Sequence, residues 1–256
     1  MSLSQGLGLI FDLDGVIVDS MPLHTETWLR YLARFNVPSD DLERRMHGRR
    51  NDDIVRDFFG AHLTPEEVFR HGAEKEALFR EIMRPQLAEH LAPGAVDFVT
   101  RHAGVPMAVA SNAEPANIDF VLVDSGLRRY FRAVVDGMQV ERPKPFPDVY
   151  LKAAAELGIA PSNCIVFEDS PVGVRAAREA GAAEAFMIAL RLPAEVDEVF
   201  RARLAEAYPD RAARVVSQLV DIRRGRLDEP AFGARMRGVG PRWEIVRQLF
   251  HATVRR

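Results

Sequence analysis

Four stretches of the chain carry residue types able to do chemistry together. Asp12 and Asp14 stand two apart at the end of the apolar run 7–11, in the segment Asp12-Leu13-Asp14-Gly15. Residues i and i+2 of a strand share a face, so both carboxylates can leave the strand end on one side. Neighbouring carboxylates repel unless a cation lies between them or one holds a proton. The pair therefore suits a hard metal ion and acid–base work, although Asp and Gly also make ordinary turns. Ser111 and Asn112 end a second apolar run, Lys144 lies between Pro143 and Pro145, and Glu168-Asp169 ends the run 164–167. Each alone reads as a helix cap, a solvated charge or a loop pair. Lys144 stands out because the chain holds 31 arginines and only three lysines. An ammonium is a compact point charge, and two prolines stiffen the loop that carries it.

These residues need elements to hold them. The runs 7–11, 107–110, 133–135 and 164–167 read as buried parallel strands, with a last one expected at 185–188. Between them fall helical patterns at 94–102, 118–123, 148–157, stopping at Gly158, and from Ser170 to Ala180. This β–α alternation predicts an α/β, Rossmann-like, doubly wound parallel sheet with helices on both faces. Ligands bind such sheets beyond the carboxyl ends of the strands. Asp12, Asp14, Ser111, Lys144 and Asp169 all fall at or just after those ends. Nothing between 21 and 90 reads as a strand. Ser20 is placed to cap a helix with Pro22 in its first turn, Asn51 to cap another, and Thr64 to form a capping box with Glu67. The expected organisation is a core of 1–20 and 90–190, an inserted helical cap of 21–89, and a helical tail of 191–256.

Composition narrows the classes. The 256 residues are 47% hydrophobic and 28% charged, which is globular. The net charge of −3 gives no bias toward nucleic acid. Residues 222–256 nevertheless hold nine arginines against three acids. The single cysteine, Cys164, allows no intrachain disulfide and fits a reducing compartment. No signal peptide or apolar run of membrane length is read, so a cytoplasmic protein without a membrane partner is expected.

In this order the motifs resemble those of the haloacid dehalogenase superfamily, in the phosphatase branch near β-phosphoglucomutase, over about 7–189. The aspartate pair is its first motif, Ser111 its second, Lys144 its third and Glu168-Asp169 its fourth. The resemblance implies a small helical cap and a Mg²⁺-dependent phosphatase acting on a small phosphorylated metabolite, a sugar phosphate by preference. It implies Asp12 as nucleophile and Asp14 as general acid and base. Metal ligands would be Asp12, the Asp14 carbonyl, Asp169 and Glu168, the last directly or through water. Phosphoryl oxygens would be held by Ser111, the amide of Asn112 and Lys144. A dehalogenase is disfavoured, because a departing halide needs no proton and would leave Asp14 idle. A mutase is the second reading, since Ser20 and His24 are placed as in that enzyme. Its cap cations are replaced, with His47 for a lysine and Asn51 for an arginine, while Arg49 and Arg50 could substitute.

The tail resembles the C-terminal segment of repair-photolyase-like radical SAM proteins, without their three-cysteine cluster motif. Two helices at 195–207 and 210–222, a basic segment and a terminal helix are expected there. A basic tail serving a binding protein, with the phosphatase-like core as carrier, is the least favoured reading. Nucleic acid is not an expected partner, and the oligomeric state is open.

Overall fold

The computed structural model describes residues 6–46, 51–182, 194–223, 225, 227 and 238–255. It divides into two compact units, Met1–Ala182 and Ala183–Arg256. In the first unit four strands, β1 (Gly8–Phe11), β2 (Met107–Ser111), β3 (Phe131–Asp136) and β4 (Cys164–Phe167), form one parallel sheet in the order β3-β2-β1-β4. Phe11 pairs with both Val109 and Phe167, so the chain order reverses at β1. A crevice at such a reversal is where open α/β sheets take ligands. The expected strand at 185–188 lies outside the described residues.

Helices follow the strands. Between β1 and β2 come α1 (Met21–Arg34), α2 (Leu42–Met46), α3 (Asn51–Phe59), α4 (Pro65–Met83), α5 (Leu87–His90) and α6 (Ala95–Arg101). Helix α7 (Pro115–Asp124) follows β2, α8 (Asp148–Leu157) follows β3, and α9 (Pro171–Glu179) follows β4. Strand residues alternate between the two faces, as period two requires, except at the start of β3, where the pairing steps from Met107–Phe131 to Ala108–Ala133 and the register shifts by one residue. Leu9, Phe11, Met107, Val109 and Phe131 pack with Val99 of α6 and Ile118 of α7. Ile10, Ala108, Ala110, Ala133 and Val135 pack with Val149, Tyr150 and Ala153 of α8 and Ala176 of α9. Phe11 and Phe167 stack at 4.6 Å under the end of β1.

The all-helical segment after β1 is entered and left through paired chains. The Asp19 N–H donates to the His90 carbonyl at 2.8 Å, and the Ala92 N–H to the Ile17 carbonyl at 2.9 Å. Trp28, Tyr31 and Leu32 of α1 are buried among Ile54 and Val55 of α3 and Val68 and Phe79 of α4. Thr64 and Glu67 make the expected capping box, with Glu67 N–H to Thr64 Oγ1 at 3.2 Å and Thr64 N–H to Glu67 Oε2 at 2.9 Å. Two other caps differ from expectation. Ser20 precedes α1 with right-handed helical backbone (φ −93°, ψ −22°) and caps nothing. A capping hydroxyl needs extended backbone to reach back to the helix amides. Asn51 is the first residue of α3, and its side chain turns to Glu76 instead.

The second unit contains α10 (Ala194–Ala207), α11 (Ala212–Ile222) and α12 (Gly240–Arg255). The Val239 N–H donates to the Ile222 carbonyl at 2.8 Å, and Arg242 Nε lies 3.2 Å from Asp221 Oδ2. Among the described residues no helix is long and apolar enough to cross a membrane.

Candidate active site

The end of β1 sets the first carboxylate. The Asp12 N–H continues the ladder to the Phe167 carbonyl at 3.0 Å, which fixes the backbone beside β4. The Asp12 side chain is buried, and its Oδ1 has the Lys144 ammonium at 3.0 Å. That contact is an ion pair lacking hydrogen-bond direction, and Oδ1 has no other hydrogen-bond partner. Burial pushes the Asp12 carboxyl up and Glu168 adds to this, while Lys144 pulls it down.

A turn then carries Asp14 round beside it. Ile17 and Val18 N–H groups return to the Leu13 carbonyl at 2.8 and 3.1 Å, and Gly15 N–H to the Val18 carbonyl at 2.8 Å. Gly15 has φ +76°, and a Cβ there would stand 1.9 Å from Asp169 Oδ2. Only glycine meets both conditions. The Ser20 hydroxyl donates to Asp14 Oδ1 at 2.5 Å. Burial raises Asp14 to about 6 against the pull of Ser20, with Asp12, Glu76 and Asp169 repelling its charge. It can therefore exchange a proton near neutral pH.

The end of β4 supplies the acidic pair. Glu168 Oε1 receives the Lys144 ammonium at 2.5 Å and the Tyr150 hydroxyl at 2.6 Å. Its Oε2 receives the Asp169 N–H, the Ser170 N–H and the Ser170 hydroxyl, each at 3.1 Å. Burial works against its charge, but these donors, Lys144 foremost, hold Glu168 below the usual carboxylate range. Asp169 is exposed and is raised by partial desolvation and by Asp12 and Glu168. Carboxylate oxygens of Asp12, Glu168 and Asp169 lie within 4.8 Å of one another. Three acids converging on one point, two with raised protonation, are short of positive charge. An all-oxygen donor set of this kind fits Mg²⁺. Both oxygens of Glu168 are already occupied, so its ligation would displace a present donor.

Ser111 ends β2, two residues beyond the Val109 that pairs with Phe11. It is buried, and its Oγ accepts the Ala113 N–H at 3.1 Å. The Asn112 carboxamide lies against Lys144 rather than across the site, with Nδ2 3.2 Å from the Lys144 carbonyl and Oδ1 3.1 Å from its N–H. Five of the expected residues, Asp12, Asp14, Lys144, Glu168 and Asp169, thus come together. His47, Arg49 and Arg50 lie outside the described residues.

His24 and Asn51 join a buried network that the residue types alone had not revealed. Lys75 Nζ lies 2.8 Å from both His24 Nδ1 and Glu76 Oε1. Asn51 also donates to Glu76 Oε1. Glu76 Oε2 accepts from Asn117 Nδ2 at 2.8 Å, and Arg80 Nη1 donates to Asn117 Oδ1 at 2.7 Å. His24 stacks on Phe79 at 3.9 Å. Burial and the adjacent Lys75 lower His24 to about 3, so its 4.0 Å approach to Glu76 is no ion pair. The signal for Lys75 was present: it is one of only three lysines, and it falls on the stripe Val68, His71, Lys75, Leu78, Phe79, Ile82 that α4 buries.

The sheet and its carboxyl-end carboxylates are those of an α/β Rossmann-like hydrolase. Residues 8–181 match the haloacid dehalogenase-like hydrolase family, and the chain belongs to it. It is 35% identical over 177 residues to the fructose-1-phosphate phosphatase YqaB of Escherichia coli, covering 68% of this chain and 92% of that one. It is 30% identical over 200 residues to a β-phosphoglucomutase of Mycobacterium bovis, covering 66% and 76%. Among solved structures, a haloacid dehalogenase-type hydrolase from Entamoeba histolytica superposes with a TM-score of 0.62 at 26% identity, covering 68% of this chain and 81% of that one. The family match ends before the tail.

Proposed function

We propose that the chain is a Mg²⁺-dependent phosphatase that hydrolyses a small sugar phosphate through an aspartyl-phosphate on Asp12. The observation that carries this reading is the division of labour between the two aspartates. At Asp12 the Lys144 ammonium, 3.0 Å away, pulls the carboxyl down against the upward push of burial, whereas Asp14 is raised to about 6 under the Ser20 hydroxyl. Two carboxylates in different environments are what a nucleophile and a general acid require. An Asp12 oxygen attacks phosphorus, and the bond from phosphorus to the sugar oxygen breaks as Asp14 gives that oxygen its proton. Asp14, now a carboxylate, takes a proton from water as the water oxygen attacks the same phosphorus. Inorganic phosphate leaves, and Asp12 and the protonated Asp14 are restored. Ser111, the main-chain amide of Asn112 and Lys144 hold the phosphoryl oxygens, and Lys144 balances the charge gathered on Asp12. Asp12, Asp169 and the Asp14 carbonyl would hold Mg²⁺, with Glu168 as a further candidate ligand. When bound, the ion screens the carboxylates from the phosphoryl oxygens and so lowers the repulsion between them.

The substrate class rests on relatives named for phosphorylated sugars, including a phosphorylated-carbohydrate phosphatase of Thermotoga maritima at 32% identity. The mutase reading has the Mycobacterium relative in its favour. Against it, Asn51 stands where the mutase-like pattern has a cation, and its side chain is committed to Glu76. The test offers fructose 1-phosphate and other hexose phosphates with Mg²⁺, and in parallel β-glucose 1-phosphate with a bisphosphate primer. Stoichiometric free phosphate is expected from at least one of the sugar phosphates. Efficient isomerisation to glucose 6-phosphate with little free phosphate would replace the hydrolase by the mutase.

A further inference from the structure

We propose that the Asn112 side chain is a positioning residue that sets where the Lys144 ammonium sits. The inference rests on the reading above that Lys144 balances charge at Asp12. Lys144 lies in the segment 137–147 between β3 and α8, which contains no helix or strand. A four-carbon side chain on an unanchored loop has too many conformers to hold one point charge 3.0 Å from Asp12 and 2.5 Å from Glu168. The start of the loop is tied by Asp136, whose carboxylate accepts the Met138 N–H at 2.8 Å and Gln139 Nε2 at 2.6 Å. Its end is tied by Arg142, which pairs with Asp148 at 2.9 Å.

Neither tie acts on Lys144 itself. Asn112 does: its Nδ2 donates to the Lys144 carbonyl at 3.2 Å and its Oδ1 accepts the Lys144 N–H at 3.1 Å. A carboxamide carries one donor side and one acceptor side, as a peptide unit does, so it pairs with one residue as a neighbouring strand would. The loop closes round it, since a Cβ at Gly137 would lie 3.4 Å from Asn112 Oδ1 and 3.4 Å from Pro143 Cβ. Asn112 follows Ser111 directly at the end of β2, so the clamp refers the lysine to the rigid sheet. Both polar ends of the side chain are spent on this, and its own contribution to phosphate binding is left to its main-chain N–H.

The test is a double-mutant cycle read by calorimetric binding of orthovanadate to the full chain with Mg²⁺, which needs no turnover. Asn112→Ala keeps the main-chain amide and removes the clamp, and Asn112 is solvent-exposed, so folding is not at stake. Asn112→Ser is the second clamp-breaking variant, and melting curves check both. Each is expected to weaken vanadate roughly tenfold to a hundredfold, the scale of an ångström-sized misplacement. In a Lys144→Ala background the same changes should have no effect, because nothing remains to be placed. Equal weakening in both backgrounds, or none in either, overturns the inference. If Lys144→Ala is itself silent, the charge-balancing reading of Lys144 falls instead, and the positioning role falls with it.

Discussion

Gly173→Ala sets two effects against each other, and the structure decides the sign. Gly173 is the third residue of α9, and exchanging glycine for alanine inside a helix ordinarily stabilises by about 1 kcal/mol. Here an added Cβ would fall 1.7 Å from Glu168 Oε1 and 2.3 Å from Oε2. The carboxylate is the far end of a flexible side chain, so it can move, but moving takes it from Lys144, Tyr150 and the amides of Asp169 and Ser170. Breaking a buried pair while leaving the cation in place costs about 3–5 kcal/mol. Partial re-pairing of Lys144 with Asp12 reduces that loss. A net destabilisation of about 1–3 kcal/mol is expected, with turnover reduced at least tenfold through the freed lysine. Chemical denaturation and steady-state kinetics on the same preparation measure both. A variant that is about 1 kcal/mol more stable and fully active would show that Glu168 does not occupy the space over α9.

Three further outcomes follow from the same geometry. Ser20→Ala removes the donor that holds Asp14 down, so its pKa should rise above about 6 by roughly one unit, the worth of one hydrogen bond. Dephosphorylation needs the Asp14 carboxylate, so the acid limb of kcat should move to higher pH, and activity at pH 6 should fall more than at pH 8; an unmoved profile would remove Asp14 from that step. Glu76→Gln strands the Lys75 ammonium, which is 2% exposed at its side chain, and should cost about 3–5 kcal/mol by thermal melting, partly recovered by adding Lys75→Met. No recovery would mean that Glu76 acts by something other than that pair. All proposed catalytic residues precede 170, so a chain ending after Leu190 is expected to keep its kcat per folded molecule, and a loss of turnover without a loss of fold would give the tail a part in the chemistry.

Much of the arrangement was legible before any coordinates. Apolar runs ending on Asp12, Ser111 and Glu168 announced a parallel sheet with chemistry at one end, because buried strands leave few places for a carboxylate except their ends. Thr64 with Glu67 announced the start of α4 through a purely local rule. Ser20 was misread by the same kind of rule: its backbone is helical, and its hydroxyl serves Asp14, a partner six residues back round a turn. The roles of Asn51, Lys75 and Glu76 depend on side chains that meet across four helices, with His24 on α1 and Asn117 on α7, and no single segment contains that information. Asn112 was visible as a polar residue at a strand end. That its carboxamide grips the Lys144 backbone depends on where the segment 137–147 returns, which spacing does not encode.

The central claim is a covalent intermediate on Asp12, and trapping it is the most direct test. Asp14→Asn should slow release of phosphate by roughly 10²–10⁴-fold, since no carboxylate remains to activate water. Rapid quench of that variant with an aryl phosphate, whose phenolate leaves without the proton Asp14 supplies to a sugar oxygen, and Mg²⁺, followed by peptide mass spectrometry, should find phosphate on Asp12, absent when EDTA is present or when Asp12 is changed to Asn. Turnover by Asp12→Asn near the native rate, or steady release of phosphate from the native chain in EDTA, would contradict the account.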